Sequence, residues 1–150
     1  MCSSDLYDPN RNEWWGLSDR GPGGGTLSYN TRVQRFSLSV HPTSGMIGSF
    51  NIEETIFFRS GSSSLNGLAP NPANSLGLSF DPEGFVILPQ SGHFLVAYEY
   101  GPSLYEFNRS GLLLREYEVP PNLLPKVAGN LDFLASPKPG PLTEIGRAHV

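Results

Sequence analysis

Cysteine is nearly missing from this chain: its 150 residues hold one, Cys2. A lone cysteine next to the N-terminus excludes a disulfide and a thiolate metal site within the chain. It leaves the redox compartment open, because exported proteins without cysteine are common. A basic surplus is also lacking. Ten Lys and Arg stand against fourteen Asp and Glu, a formal net charge of −4, which argues against a nucleic-acid partner. No window carries apolar residues at helical spacing, and no signal peptide or transmembrane run is visible. Of three histidines, only His41 and His93 lie away from the C-terminal tail.

Both ends read as foreign. Glu-Ile-Gly-Arg-Ala-His-Val at 144–150 is what a common sequencing adaptor encodes. Met-Cys-Ser-Ser-Asp-Leu at 1–6 is what the reverse complement of that adaptor encodes, with GTG taken as the start codon. On this reading 1–6 and 144–150 are adaptor-derived scars, set aside from the fold argument. A partial domain at 7–143 remains, an internal piece of a longer protein.

What is abundant is punctuation: seventeen glycines and fourteen prolines, the mark of many short strands and turns. Strands are expected at 14–18, Arg32–Val40 and 51–59, although a helix of similar length is also compatible with the last. Residues 60–79, rich in Ser, Gly, Asn and Pro, read as a long surface connection, a class of loop that is usually functional or mobile. Four short strands then follow at 85–88, 93–98, 104–108 and 112–119. They are separated by Gln90-Ser91-Gly92, Glu99-Tyr100-Gly101-Pro102 and Asn108-Arg109-Ser110-Gly111. Such spacing describes an antiparallel meander, the pattern of one propeller blade. Residues 123–139 are expected to be irregular or briefly helical.

The meander has an earlier echo. Asp19-Arg20-Gly21-Pro22 precedes an alternating strand that reaches Phe36 and a turn that ends in Gly45. Glu99-Tyr100-Gly101-Pro102 precedes a strand that reaches Phe107 and a turn that ends in Gly111. Units of one scheme at intervals are the sequence signature of stacked blades. The expected fold class is therefore all-β, an incomplete β-propeller of antiparallel meander blades.

Three of these motifs together, Ser18-Asp19-Arg20-Gly21-Pro22, Asp81-Pro82-Glu83-Gly84 and the run from Glu99 to Phe107, resemble the phytase-like family, described by the esterase-like activity of phytase. Val119-Pro120-Pro121-Asn122-Leu123-Leu124-Pro125 is similar to the segment that follows there. The likeness runs over most of 16–126. It implies a β-propeller, usually in exported bacterial proteins (periplasmic or extracellular), with a hydrolase activity whose substrate is poorly defined. The chain departs from the family pattern after Pro125, where Gly129-Asn130-Leu131-Asp132-Phe133 stands.

Propeller ligands bind where loops of several blades converge. Asp19, Asp81, Glu83 and Glu99 all occupy loops bounded by Gly or Pro. Hard oxygen ligands of this kind suit Ca²⁺ or another divalent cation that could bridge and polarise phosphate oxygens. Glu83, Glu99 and Arg20 are the catalytic candidates, and Arg20 and Tyr100 the substrate-binding ones, Arg20 through its planar fork. The competing reading of the acidic residues is structural, since Asp before Pro or Gly often caps its own turn and Gly84 and Gly101 can serve turn geometry. Nucleophilic catalysis has little support: Ser103 lacks a Gly-X-Ser-X-Gly elbow and an evident histidine base. His93 and His41 read as surface or turn residues. Gly21–Gly25 lacks the lysine and helix of a phosphate loop. Of the adjacent Trp14 and Trp15, one at least belongs in the core, because neighbours on a strand face opposite sides.

Three functions follow. The leading one is a metal-assisted hydrolase of a small-molecule ester or phosphate, with the fragment inactive by itself. The others are a sugar-lactonase-like propeller and a non-catalytic propeller that binds a ligand or partner. An incomplete propeller leaves sheet edges and blade faces open, so the 150-residue chain expressed alone is expected to be poorly soluble. A monomeric product that melts cooperatively, measured by light scattering and thermal denaturation, would contradict that.

Overall fold

A computed structural model describes residues 5–9 and 11–135. Among them there are strands and turns and no helix. The first sheet is formed by β1 (Asp5–Asp8), β2 (Glu13–Leu17), β3 (Arg32–Val40) and β4 (Ile47–Phe57), in that spatial order and antiparallel throughout. Two short strands, β5 (Arg59–Ser60) and β6 (Ser63–Ser64), make a hairpin at the start of the crossing. The second sheet follows as β7 (Pro82–Ile87), β8 (Phe94–Tyr98), β9 (Ser103–Phe107) and β10 (Leu113–Glu116), again a simple meander. A last hairpin pairs β11 (Lys126–Val127) with β12 (Asn130–Leu131). The chain is thus all-β, two four-stranded meanders that form no closed barrel, as an incomplete propeller requires.

Two details differ from the sequence reading. The third strand begins at Ile47 and not at Asn51, because β3 and β4 pair over their whole length apart from two bulges. The segment expected to be irregular or briefly helical contains the β11–β12 hairpin, whose turn has Ala128 and Gly129 at positive φ, the geometry of tight hairpin turns. Residues 136–139 of that segment, and 144–150, lie outside the described residues. Asp5 and Leu6, assigned above to an adaptor scar, pair with Gly16 and Trp15 in β1.

The largest difference lies in residues 60–79. Instead of crossing the surface throughout, the chain dives between the two sheets at Leu65, Gly67 and Pro70, all buried. Backbone bonds hold it on both sides. Gly67 N donates to Tyr29 O at 2.9 Å, Asn66 N to Leu78 O at 2.9 Å, and Phe80 N to Asn66 O at 2.8 Å. At Gly67 a Cβ would overlap the backbone of Arg20, so only glycine allows this close passage.

One apolar core joins the sheets. Phe58, just beyond β4, is fully buried and touches Phe80, Phe94 and Phe107, with ring centroids 5.7, 6.5 and 4.4 Å away. Phe80 stacks on Tyr105 at 5.5 Å, and Trp15 meets Phe94 edge-on at 5.3 Å. Trp15 is therefore the core tryptophan of the pair. The Arg109 guanidinium covers its ring at 4.7 Å and so shields the rim of the junction.

Phe58 follows directly on the last strand of the first sheet and packs on Phe94 and Phe107 of the second, so its truncation should loosen the junction and not one strand. Phe58→Ala is expected to cost about 3–5 kcal/mol of unfolding free energy, as large buried-aromatic deletions do. Urea denaturation followed by tryptophan fluorescence measures it, and a loss under about 1 kcal/mol, the scale of an ordinary surface change, would show that Phe58 does not carry the junction.

Candidate functional site

Two loops with an acidic residue two before Gly-Pro meet at one end of the sheets. The β2–β3 loop brings Asp19-Arg20-Gly21-Pro22, and the β8–β9 loop brings Glu99-Tyr100-Gly101-Pro102. Between them the chain enters β7 through Asp81. Asp81 is fully buried. Its Oδ1 accepts the Arg20 backbone N–H at 3.1 Å, and its Oδ2 accepts Arg20 Nη1–H at 2.7 Å. The Asp81 carbonyl accepts Glu99 N–H at 2.9 Å. One residue thus clamps both loops, by charge-assisted bonds on one side and a backbone bond on the other.

Glu83 owes its place to a β-bulge. Pro82 faces Tyr98 and Gly84 faces Ala97, which leaves Glu83 without a partner across the ladder. A bulge of this kind bends its strand and re-aims a side chain. Gly84 accordingly lies within strand β7 and not in a turn. The result is that carboxylate oxygens of Asp81, Glu83 and Glu99 all lie within 4.8 Å of one another. No hydrogen-bond donor among the described residues engages the Glu83 or Glu99 carboxylate.

The remaining predicted residues have partners of their own. Asp19 Oδ1 accepts Gly21 N–H at 2.6 Å, so this carboxylate closes its own turn and stands outside the three-carboxylate group. Tyr100 donates its hydroxyl to Gly67 O at 3.0 Å, and its ring centroid lies 5.8 Å from the Arg20 guanidinium carbon. Asp81 already occupies one nitrogen of that guanidinium. Ser103 donates to Tyr117 O at 2.9 Å and has no histidine partner. His93 lies 2.7 Å from Glu106, whose other oxygen accepts Tyr117 O–H at 3.1 Å, an arrangement separate from the acidic group.

Four carboxylates share this end with one arginine, and the proton affinities of Asp81 and Glu83 record the imbalance. Burial pushes Asp81 up to about 6, although the Arg20 charge and backbone N–H pull the other way. Burial pushes Glu83 up to about 7, and the charges of Asp81, Glu99 and Asp19 add to it. A group of oxygens that is short of positive charge fits a hard cation, for which oxygen-only coordination is the rule. The donors present, with Asp81 bonded to Arg20, are of the oxygen type that Ca²⁺ or Mg²⁺ takes.

Sequence reasoning named Asp19, Asp81, Glu83, Glu99, Arg20 and Tyr100 as candidates but missed how Asp81, Glu83 and Glu99 converge. The bulge was the hidden element. Its signal is Pro82-Glu83-Gly84 at a strand entrance, since Gly inside a strand often marks a bulge. The role of Gly67 as the seat of the Tyr100 hydroxyl carried no sequence signal at all.

The pKa shifts fix a pH dependence. Both carboxyls bind protons more tightly in the folded chain than in the unfolded one, where they titrate near 4. The stability they contribute is thus complete at low pH and is lost as pH rises through about 6 and then 7. In metal-free buffer the urea midpoint should fall across that window, and Glu83→Gln should flatten the fall. A midpoint that rises through the same window would refute the assignment.

Comparison with known proteins adds the following. A family model described as "Phytase-like: Esterase-like activity of phytase" matches residues 1–142. An "Uncharacterized secreted protein" of Arthroderma benhamiae is 35% identical over 74 residues, which are 49% of this chain and 14% of that protein. The chain therefore spans a small part of the length of the relative it matches. No solved structure matches.

Proposed function

The chain belongs to the phytase-like family, and from that premise we propose that the junction of Asp81, Glu83 and Glu99 is a divalent-cation site of an exported hydrolase acting on a phosphate or other ester. The observation that carries the reading is the convergence of three carboxylates within 4.8 Å of one another, of which Asp81 alone is paired with an arginine. Export is supported by the relative from Arthroderma benhamiae, which is described as secreted. Among the described residues no helix is long and apolar enough to cross a membrane.

Each residue then has a distinct duty. Asp81, fixed by Arg20, sets the position of the site, while Glu83 and Glu99 complete the oxygen cage. A bound Ca²⁺ would supply Lewis-acid polarisation of the ester oxygen. Arg20, with its planar set of donors, holds an anionic substrate group beside the cage, and the ring of Tyr100 packs against that guanidinium. Glu83 carries the switch between proton and cation, since its carboxyl must lose its proton before it can bind metal.

Calcium titration of the chain by calorimetry should show binding that strengthens as pH rises above the Glu83 value of about 7. Glu83→Gln and Glu99→Gln should each weaken it at least about tenfold, the loss that follows removal of even an outer partner of a metal. In the longer protein, Ca²⁺-dependent turnover of phosphate or carboxylic esters should disappear in the same variants. Turnover of lactones without turnover of phosphate esters would replace this reading with a lactonase. Ligand binding without hydrolysis across an ester panel would replace it with a binding propeller.

A further inference from the structure

Of the ten asparagines in this chain, Asn108 alone has Ser or Thr two positions later with a residue other than proline between them. Asn-X-Ser is the pattern that accepts an N-linked glycan in exported proteins, where it stands in surface loops. Here it forms the hairpin turn between β9 and β10. Gly111 N–H donates to Asn108 O and Asn108 N–H to Leu112 O, both at 2.9 Å. Asn108 is half-buried and Ser110 exposed.

The two ends of the Asn108 amide are used differently. Its Oδ1 accepts Ser110 N–H at 2.9 Å, Leu112 N–H at 3.0 Å and Ser110 Oγ–H at 2.8 Å. An amide oxygen offers two lone pairs, which the two backbone donors already fill. The serine hydroxyl is therefore surplus to closing the turn, and its bond from Arg59 Nη2, at 3.5 Å, is long. Nδ2 makes no hydrogen bond to any described residue. Among those residues, the buried side-chain nitrogens and oxygens without a partner belong to Glu13, Trp15 and Arg109, so the unbonded Asn108 Nδ2 is one that water reaches. A group attached at Nδ2 leaves every Oδ1 bond, and with them the turn, in place.

The residue between the two is turned elsewhere. The Arg109 guanidinium lies over Trp15 of the first sheet at 4.7 Å, and Gly111 O accepts Arg59 N–H at 2.9 Å. The turn is thus anchored on the first sheet through Arg109 and Gly111, while the Asn108 nitrogen stays unengaged. It also stands apart from the acidic group. β9 (Ser103–Phe107) separates it from the Glu99 loop, roughly 16 Å at the usual rise of a strand. The turn lies at strand ends and not on a sheet face, so a glycan there covers neither the carboxylates nor the surface of a sheet.

We propose that Asn108 is an N-glycosylation acceptor whose glycan comes from a lipid-diphosphate-linked oligosaccharide of the export pathway. The Nδ2–C1 bond to the sugar forms, the C1–O bond to the lipid diphosphate breaks, and one Nδ2 proton passes to solvent, with no oxidation or reduction. The site is independent of the cation site and rests only on the export proposed above.

Translation of the chain behind a cleavable leader, in the presence of endoplasmic-reticulum microsomes, supplies both donor and transferase and so tests the site apart from natural export. Chains protected from added protease should show a mobility shift that an N-glycan-releasing amidase removes, and peptide mapping should find Asn108 converted to Asp by that treatment. Asn108→Gln and Ser110→Ala should each lose the shift, while Ser110→Thr keeps it. Ser110→Ala is the sharper variant, because the acceptor amide and its backbone bonds remain. Protected chains without a shift overturn the proposal, as does a shift that persists in Ser110→Ala. Export is judged separately, by release of the longer protein with its own N-terminus into the medium. Retention in the cell would overturn the export reading even where the microsomal result stands.

Discussion

Everything at the loop end of this molecule depends on where the Asp81 carboxylate goes. It is removed from water, and its two oxygens are taken by the backbone and side chain of one residue, Arg20. A buried ion pair of this sort adds little net stability, because desolvation offsets attraction, but breaking one partner is costly. Its effect is positional. The pair fastens a loop of the first sheet to the entrance of the second, and the Asp81 carbonyl adds the Glu99 backbone to the same knot. With Asp81 fixed, the bulge after Pro82 has one place to put Glu83. The acidic group is thus a product of the way the sheets are tied together.

The same knot explains the electrostatics. Arg20 neutralises the carboxylate that is most deeply buried and has little left for the others, so Glu83 stands higher in proton affinity than Asp81 although Asp81 is better hidden. A site that meets its structural need with its only cation keeps an excess of negative oxygen for something else. The cation site proposed above would draw on that excess.

Most of the architecture was legible in the sequence because period-two alternation and glycine-terminated turns are local signals. The strands of the second sheet were each found to within a few residues, and Arg32–Val40 was found whole. The acidic residues were legible as types in loops. Their convergence was not, since it depends on a one-residue bulge and on an ion pair that spans sixty-one positions. The path of 60–79 failed for a related reason. Polar, glycine-rich sequence resembles a surface loop, and only the three-dimensional crowding at Gly67 against Arg20 shows that smallness there serves burial.

The two acidic loops differ in what they do with one shared position. The residue after the acidic one is Arg20 in the first loop and Tyr100 in the second. Arginine clamps the Asp81 carboxylate at the entrance of the second sheet, whereas tyrosine donates to the Gly67 carbonyl of the crossing chain. One corner is therefore tied twice, by a charged bond and by a neutral one, and only the first tie depends on the ionisation of a carboxyl.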